Sequence, residues 1–186
     1  MSWQIIHLDD VVPSPWRNGG GTTRELIAWP SAQDWDWRIS VAEIERPGPF
    51  SRFEGVRRWF AVLSGIGVRL QIDGQAHELT PESAPVAFDG TQAVDCDLLD
   101  GPTQDFNLMV RTGQAAAHLQ RIKGSFGTKV EMGRKVAVYT LEQRATLEVD
   151  SEIIELPPYS LAWRALAAPA AVQVWAESAL WLEIWK

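Results

Sequence analysis

The chain has 186 residues and a formal net charge of −7, because 17 Lys and Arg stand against 24 Asp and Glu. Hydrophobic residues make up 46% of it, which excludes an intrinsically disordered protein. The acidic balance argues against nucleic acid or an anionic membrane as the main partner. A single cysteine, Cys96, excludes an intramolecular disulfide, and three scattered histidines exclude a local His-rich metal motif.

Alternation of apolar and polar residues predicts short β-strands along the whole chain. Successive side chains of a strand point to opposite faces, so the strand Trp37–Ala42 places Arg38 and Ser40 opposite its apolar side chains. Asp73-Gly74 predicts a tight hairpin turn. Gln114–Lys123 is compatible with either a helix or a strand. The other predicted strands cover residues 59–63, 68–72, 77–79, 86–88, 106–110, 136–141, 146–149, 160–163, 172–175 and 180–185.

Turn signals separate these strands at intervals of about eight to twelve residues, which predicts an all-β sandwich or barrel. Gly101-Pro102 is the predicted seam, so we expect one domain over residues 1–100 and a second over residues 101–186, with strand exchange between the halves left open. The first residues lack the pattern of a signal peptide. No segment approaches the ~20 apolar residues of a membrane helix, and we expect a cytoplasmic protein.

A glycine-rich segment, Asn18–Glu25 (NGGGTTRE), follows Trp16. Glycines let backbone N–H groups face an anion, but the segment lacks the Gly-Lys-Ser/Thr ending of a phosphate loop. Two interpretations stay open. The segment is either a tight turn that enters the first strand, or a loop that closes over a small acidic ligand with Trp16 as a pocket wall.

Two predicted strands each carry a pair of polar residues on one face. Arg38 and Ser40 share a face of the first, and Asp105 and Asn107 share a face of the second. A lone buried charge is costly, so an inward Arg38 is expected to pair with Asp105 or Glu25. The set is either a structural salt-bridge network or the lining of a pocket for a carboxylate or formyl-amide ligand.

The segment Trp59–Gly90 resembles the hairpin core of a cupin barrel. A metal-binding cupin would carry His-x-His and Glu shortly before Gly65 and a further His after Pro81, and these ligands are missing here. The resemblance therefore implies a cupin without a metal, and we expect no cofactor. Arg58 falls near the position of the cupin Glu, so its guanidinium would replace the metal charge and hold an anionic ligand.

Three further blocks, Pro15–Glu25, Trp37–Phe53 and Gly101–Arg111, resemble the HutD/Ves family of small bacterial proteins. The resemblance implies an all-β bicupin fold, in which two RmlC-like jelly-roll β-barrels pack as one compact unit. It also implies a link to histidine-utilisation operons through binding of a small pathway metabolite.

We therefore expect the chain to bind a small anionic metabolite, of the carboxylate or formyl-amino acid type, in a regulatory or accessory role for histidine utilisation. One alternative is a metal-free enzyme that uses Glu25 or Asp105 as acid or base. Another is a structural or protein-interaction module that works through its tryptophans. Trp181 is expected either to fill core or interface or to form, with Trp185, an exposed strip that would suit a homodimer. No catalytic residue is assigned. The predicted ligand-binding residues are Trp16, Asn18, Gly20, Thr23, Arg24, Glu25, Arg38, Ser40, Arg58, Asp105 and Asn107.

Overall fold

The computed structural model describes residues 2–186, and these divide into two compact units. The first, the 11–115 unit, runs from Val11 to Ala115. The second, the 116–186 unit, combines Ala116–Lys186 with the segment that ends at Asp10. No helix in the described part of the chain has both the length and the apolar character that a membrane crossing requires.

The 11–115 unit is built from two antiparallel sheets. Their strands are β2 Ser14–Pro15, β3 Gly21–Pro30, β4 Trp35–Ile44, β5 Gly48–Pro49, β6 Val56–Ser64, β7 Val68–Ile72, β8 Gln75–Leu79, β9 Val86–Asp89, β10 Val94–Leu98 and β11 Thr103–Arg111. The six-stranded sheet has the order β2-β3-β4-β11-β6-β9, and the four-stranded sheet has the order β5-β10-β7-β8. Residues of both sheets form one buried cluster that includes Phe60, Leu70 and Cys96.

The 116–186 unit contains one seven-stranded sheet. Its strands are β1 Gln4–His7, β12 Ala116–Val130, β13 Lys135–Thr140, β14 Ala145–Val149, β15 Glu152–Leu156, β16 Ser160–Ala165 and β17 Ala170–Trp185. The longest strand, β17, pairs with β12 along one edge and with β13 and then β14 along the other. Strand β1 pairs with β16 and is followed by a one-turn 3-10 helix at Leu8–Asp10.

Most strands predicted from alternation are present. The hairpin at Asp73-Gly74 is confirmed: both residues have positive φ, 47° and 83°, as the tight turn between β7 and β8 requires. Of the two options for Gln114–Lys123, the strand is correct, since β12 covers most of it. In strand β10 the exposed Asp95 and Asp97 alternate with the buried Val94 and Cys96.

The predicted seam differs from the structure. Strand β11 belongs to the 11–115 unit, because it pairs with β4 on one side and β6 on the other, so the division falls at Ala115 rather than at Asp100. Of the two positions considered for Trp181, the core is correct, because its side chain is fully buried in the 116–186 unit. An exposed strip that includes Trp181 is therefore wrong.

Glycine is required by close packing at the start of β3. A Cβ atom on Gly21 would lie 2.1 Å from the carbonyl oxygen of Glu43 on the paired strand β4. Neither backbone can yield without disturbing the ladder between β3 and β4. This contact fixes where the glycine segment joins the sheet.

Gly21→Ala is therefore expected to destabilise the protein by about 3 kcal/mol, the upper part of the range for overpacked sites. Thermal unfolding measures the effect. Gly48→Ala is the matched control, because a Cβ there would approach only Asn18 Nδ2, at 4.0 Å. Equal melting temperatures for Gly21→Ala and Gly48→Ala would contradict this packing.

Candidate functional site

A cavity of about 520 Å³ opens on one face of the six-stranded sheet, within the 11–115 unit. The pairing register of strands β4, β11 and β6 explains which side chains form the floor of the cavity. Ser40 on β4 lies opposite Asn107 on β11, which lies opposite Phe60 on β6. Directly paired residues of antiparallel strands project to the same face, so the three side chains point into the same space. The cavity is lined by Pro15, Trp16, Arg17, Asn18, Thr23, Arg38, Ser40, Ala42, Ile44, Pro49, Phe50, Ser51, Phe53, Arg58, Phe60, Asn107 and Met109.

Arg58 is the most deeply placed cation of the cavity, with 6% of its surface exposed. Its Nη2 donates to Asn107 Oδ1 at 3.1 Å, and its Nη1 donates to the carbonyl oxygen of Ser51 at 3.3 Å. Among residues 2–186 it forms no ion pair with a carboxylate. Burial, and to a smaller extent the charge of Arg38, together lower the pKa of Arg58 to about 10. The side chain thus stays charged at neutral pH without a protein counter-ion.

Arg38 lies two strands from Arg58, and Met109 stands between them in the register. Its Nη1 is 3.5 Å from Glu25 Oε2, and its Nη2 is 3.1 Å from the Sδ atom of Met109. Of the two partners predicted for Arg38, the structure forms the contact with Glu25. The Glu25 side chain is 39% exposed, and the long, partly solvated contact neutralises Arg38 weakly.

Two neutral polar side chains face the cavity beside these cations. Asn107 uses its Oδ1 to accept from Arg58, so its Nδ2 amide group has no hydrogen-bond partner within the described residues. The Ser40 hydroxyl also has no partner among residues 2–186. Guanidinium, amide N–H and hydroxyl groups can all donate to one bound group, and a carboxylate accepts only.

The cavity is cationic although the chain is acidic. Arg17, Arg38 and Arg58 line it, and none of the Asp or Glu residues in the described part of the chain does. The remaining wall is largely apolar, with the indole of Trp16 and the rings of three phenylalanines, Phe50, Phe53 and Phe60. This arrangement favours a ligand with an anionic group and an apolar or planar body.

The glycine segment forms a tight turn at the cavity rim. Asn18 Oδ1 accepts from the backbone N–H of Gly20 at 3.0 Å, and the Gly20 carbonyl oxygen accepts from Glu45 and Arg46. Trp16 Nε1 donates to Thr23 Oγ1 at 2.8 Å. The structure therefore favours the turn interpretation, with the Gly20 amide already engaged and the Trp16 and Asn18 side chains set against the cavity.

The structure brings seven of the predicted ligand-binding residues together and leaves four outside the cavity lining. Arg24 lies opposite Val41 in the register, which places it on the other face of the sheet, where its Nη1 is 2.7 Å from Glu43 Oε1. The seven lining residues are Trp16, Asn18, Thr23, Arg38, Ser40, Arg58 and Asn107; the four outside the lining are Gly20, Arg24, Glu25 and Asp105.

Asp105 shares a sheet face with Asn107, as alternation predicts, but it lies in the protein core. It is 0% exposed, its Oδ2 accepts from Thr103 Oγ1 at 2.7 Å, and its Oδ1 has no partner. Burial raises the pKa of Asp105 to about 7, against the smaller opposing effect of the Thr103 hydrogen bond. It also contributes to raising the pKa of the Cys96 thiol to about 12, although burial of that thiol is the larger cause. Among residues 2–186, Asp105 forms no ion pair, and neither Arg38 nor Arg58 is hydrogen-bonded to it.

Sequence reasoning missed several residues of the cavity wall. Arg17 follows Trp16 directly, and its exposed position next to a predicted wall residue was the available signal. Phe50, Ser51 and Phe53 come from the irregular segment between β5 and β6, where alternation says nothing about direction. Within residues 2–186, no three His, Cys, Asp or Glu side chains are grouped so as to hold a metal ion.

Comparison with known sequences gives one family match and several relatives. A family model described as HutD matches residues 8–182. The chain is 40% identical over 125 residues to an uncharacterized 21.2 kDa protein in the hutC 3' region of Pseudomonas putida, and 35% identical over 125 residues to protein Ves of Escherichia fergusonii. Each alignment covers 66% of this chain and 65% of the relative, so the match spans somewhat less than two thirds of their length.

Solved structures show the same fold. A conserved protein of unknown function from Pseudomonas aeruginosa PAO1 superposes with a TM-score of 0.90 at 26% identity, covering 100% of both chains. HutD from Pseudomonas fluorescens SBW25, described with the words "Formate condition", gives 0.86 at 28% identity over 99% of this chain and 98% of that one. A cupin 2 conserved barrel domain protein from Leptotrichia buccalis gives 0.60 at 12% identity over 98% and 95%, which shows a cupin-like fold.

Asp105→Asn is expected to change how stability depends on pH. The pKa of Asp105 is raised in the folded state, so its neutral form stabilises the protein fully below about pH 4, the unfolded value. That contribution is lost as pH rises from there through about 7. An asparagine cannot ionise, so the melting temperature of the variant relative to the parent should increase between pH 5 and pH 8.

The control for this experiment is Asp95→Asn, which changes an exposed aspartate on β10 and should keep the parental pH dependence. Parallel pH profiles for Asp105→Asn and the parent would show that Asp105 is ionised throughout, against the structural argument.

Proposed function

Because the chain belongs to the HutD family, we propose that its cavity binds a small anionic metabolite of the carboxylate or formyl-amino acid type. One observation carries the proposal: Arg58 is buried and charged, faces the cavity, and has no carboxylate partner in the described residues. A buried charge without a counter-ion is costly, and the cost falls when an anion binds next to it. The protein thus supplies the cation and the ligand supplies the anion.

The neighbours of Arg58 favour a carboxylate over a single-atom anion. Arg58 keeps free hydrogens on both Nη atoms, since each carries two and donates one to the protein. Asn107 Nδ2 and the Ser40 hydroxyl add donors beside it. A carboxylate has two oxygens and accepts several such bonds at once, which matches this set of donors.

The size and the wall of the cavity favour a ligand larger than formate. A cavity of about 520 Å³ lies within the range typical of small-molecule sites, roughly 300–1,000 Å³. Trp16, Phe50 and Phe60 offer apolar surface to the body of the ligand. Arg17 and Asn18 at the rim offer polar contacts to its far end.

We also propose a regulatory or accessory role in histidine utilisation. The support is the name of the Pseudomonas putida relative, which refers to the hutC region, and the name HutD of the Pseudomonas fluorescens structure. The cupin-like neighbours are compatible with a bicupin of two jelly-roll barrels, an arrangement that stays a prediction. A homodimer also stays a prediction.

No observation favours the enzymatic alternative in its predicted form. It needs Glu25 or Asp105 as an acid or base in contact with a ligand, and neither lines the cavity. Glu25 instead contacts Arg38, and Asp105 is enclosed in the core. The interaction-module alternative cannot use Trp181 as a surface contact, since that side chain is fully buried.

The direct test is ligand-induced thermal stabilisation. Urocanate, N-formylglutamate, glutamate and formate are added separately at constant ionic strength and pH 7.5, and the melting temperature is followed. An acid at 100 times its Kd should stabilise the protein by about 2.7 kcal/mol, and Arg58→Gln should abolish that shift. Arg57→Gln is the matched control, because Arg57 is the exposed neighbour on the opposite face of β6.

Two results would contradict the proposal. One is the absence of a shift with every acid. The other is an equal shift in the parent and in Arg58→Gln, which would place the anion elsewhere. Turnover of an added acid would instead support the enzymatic alternative.

A further inference from the structure

We propose that Phe53 positions the two arginines of the cavity, as the shared ring of a ladder in which guanidinium groups and aromatic rings alternate. The inference rests on the proposed function, because it explains how the cations of the anion site are held without being neutralised. The ladder has the order Arg111, Trp35, Arg38, Phe53 and Arg58.

The distances define the ladder. The Cζ atom of Arg58 is 5.6 Å from the ring centre of Phe53, and that of Arg38 is 5.8 Å from the same ring. The Cζ atoms of Arg38 and Arg111 are each 5.2 Å from the ring centre of Trp35. All four contacts lie within the range of about 6 Å in which a guanidinium is attracted to a ring face.

Arg111, at the outer end of the ladder, forms an ion pair at the protein surface. Arg111 is 41% exposed, and its Nη1 is 2.8 Å from Asp34 Oδ1. Trp35, between Arg111 and Arg38, is 9% exposed. The ladder therefore runs from a solvated ion pair to the buried Arg58, and its inner end has no carboxylate partner within residues 2–186.

Phe53 is fixed by its own backbone. Its N–H donates to the carbonyl oxygen of Gly90 at 2.8 Å, which ties the irregular segment between β5 and β6 to the end of β9. A Cβ atom on Gly90 would lie 2.3 Å from the Phe53 carbonyl oxygen, so only glycine permits this approach. The ring is thus placed by the backbone before any contact with Arg38 or Arg58 is considered.

An aromatic ring suits this position better than a carboxylate would. Arg38 and Arg58 have like charges, and the charge of Arg38 already lowers the pKa of Arg58. A carboxylate between them would relieve the repulsion, but it would also occupy the N–H donors that a ligand needs. A ring holds the guanidinium by its flat face and leaves the N–H groups at its edge free.

The test compares Phe53→Leu and Phe53→Tyr with the parent. The leucine removes the ring, whereas the tyrosine keeps it. Phe60→Leu is the matched control, because Phe60 lines the cavity but has no stacked guanidinium in the described residues. Trp35→Leu separates positioning from ligand contact, because Trp35 contacts Arg38 and does not line the cavity.

Two readouts are used, and the first needs no ligand. Arginine Nε–H resonances are assigned with Arg38→Lys and Arg58→Lys, and ring currents place both signals upfield in the parent. Both Nε–H signals should move downfield in Phe53→Leu. Neither signal should move in Phe53→Tyr or in Phe60→Leu. In Trp35→Leu, the Arg38 signal should move. In the second readout, formate is titrated at constant ionic strength. Phe53→Leu should bind it about tenfold more weakly than Phe60→Leu does, and Phe53→Tyr should restore the affinity.

The outcomes separate the two proposals. Unchanged Nε–H signals in Phe53→Leu, or equal formate affinities for Phe53→Leu and Phe60→Leu, would overturn the positioning role. Signals that move as expected in a parent that binds none of the four acids, formate included, would support the ladder and count against the proposed function. If Phe53→Leu does not fold, Trp35→Leu is the deciding variant. A moved Arg38 Nε–H signal together with a weaker formate affinity supports the ladder. An unchanged signal and an unchanged affinity overturn it.

Discussion

The site depends on one buried charge. Arg58 lies in a largely apolar setting, with its Cζ atom 5.1–5.6 Å from the rings of Phe50, Phe53 and Phe88. Its protein hydrogen bonds go to neutral oxygens of Asn107 and Ser51. A structural arginine in such a place would ordinarily face a carboxylate, because desolvation of an unpaired charge outweighs a few hydrogen bonds. The rings offset part of that cost, and the rest is available to drive the binding of an anion.

The strand order of the sheet places further polar residues beside this charge. Strand β11 lies between β4 and β6, so residues from three distant parts of the chain share one face. The row of Ser40, Asn107 and Phe60 lies beside the row of Arg38, Met109 and Arg58. The next row holds Asp105, which is buried in the core and has a raised pKa of about 7. Protonated Asp105 leaves the field of the two arginines uncompensated, which favours an anion in the cavity most strongly below about pH 7.

Alternation was enough to identify which polar residues share a face, but it could not place the rows relative to one another. Arg38 with Ser40, and Asp105 with Asn107, lie on common faces as predicted. Which row reaches the cavity depends on pairing between strands that are not consecutive, and this pairing is not visible in a single sequence. Asp105 therefore lies one row of paired residues further along the sheet than Asn107, in the core and not in the cavity lining. Arg24 occupies the other face, because its register partner is Val41 and not Ser40 or Ala42. The positions of the rings that hold the arginines are harder to predict, because Phe50 and Phe53 lie in an irregular segment. The course of that segment depends on backbone contacts such as the hydrogen bond between Phe53 and Gly90.

The central claim is that the cavity of the 11–115 unit holds a carboxylate on Arg58. A crystal structure of the protein with N-formylglutamate or formate at saturating concentration tests it most directly. We expect a carboxylate within hydrogen-bonding distance of an Arg58 Nη atom and of Asn107 Nδ2, with the Arg58–Asn107 hydrogen bond retained. A carboxylate bound elsewhere on the protein, with only water beside Arg58, would contradict it.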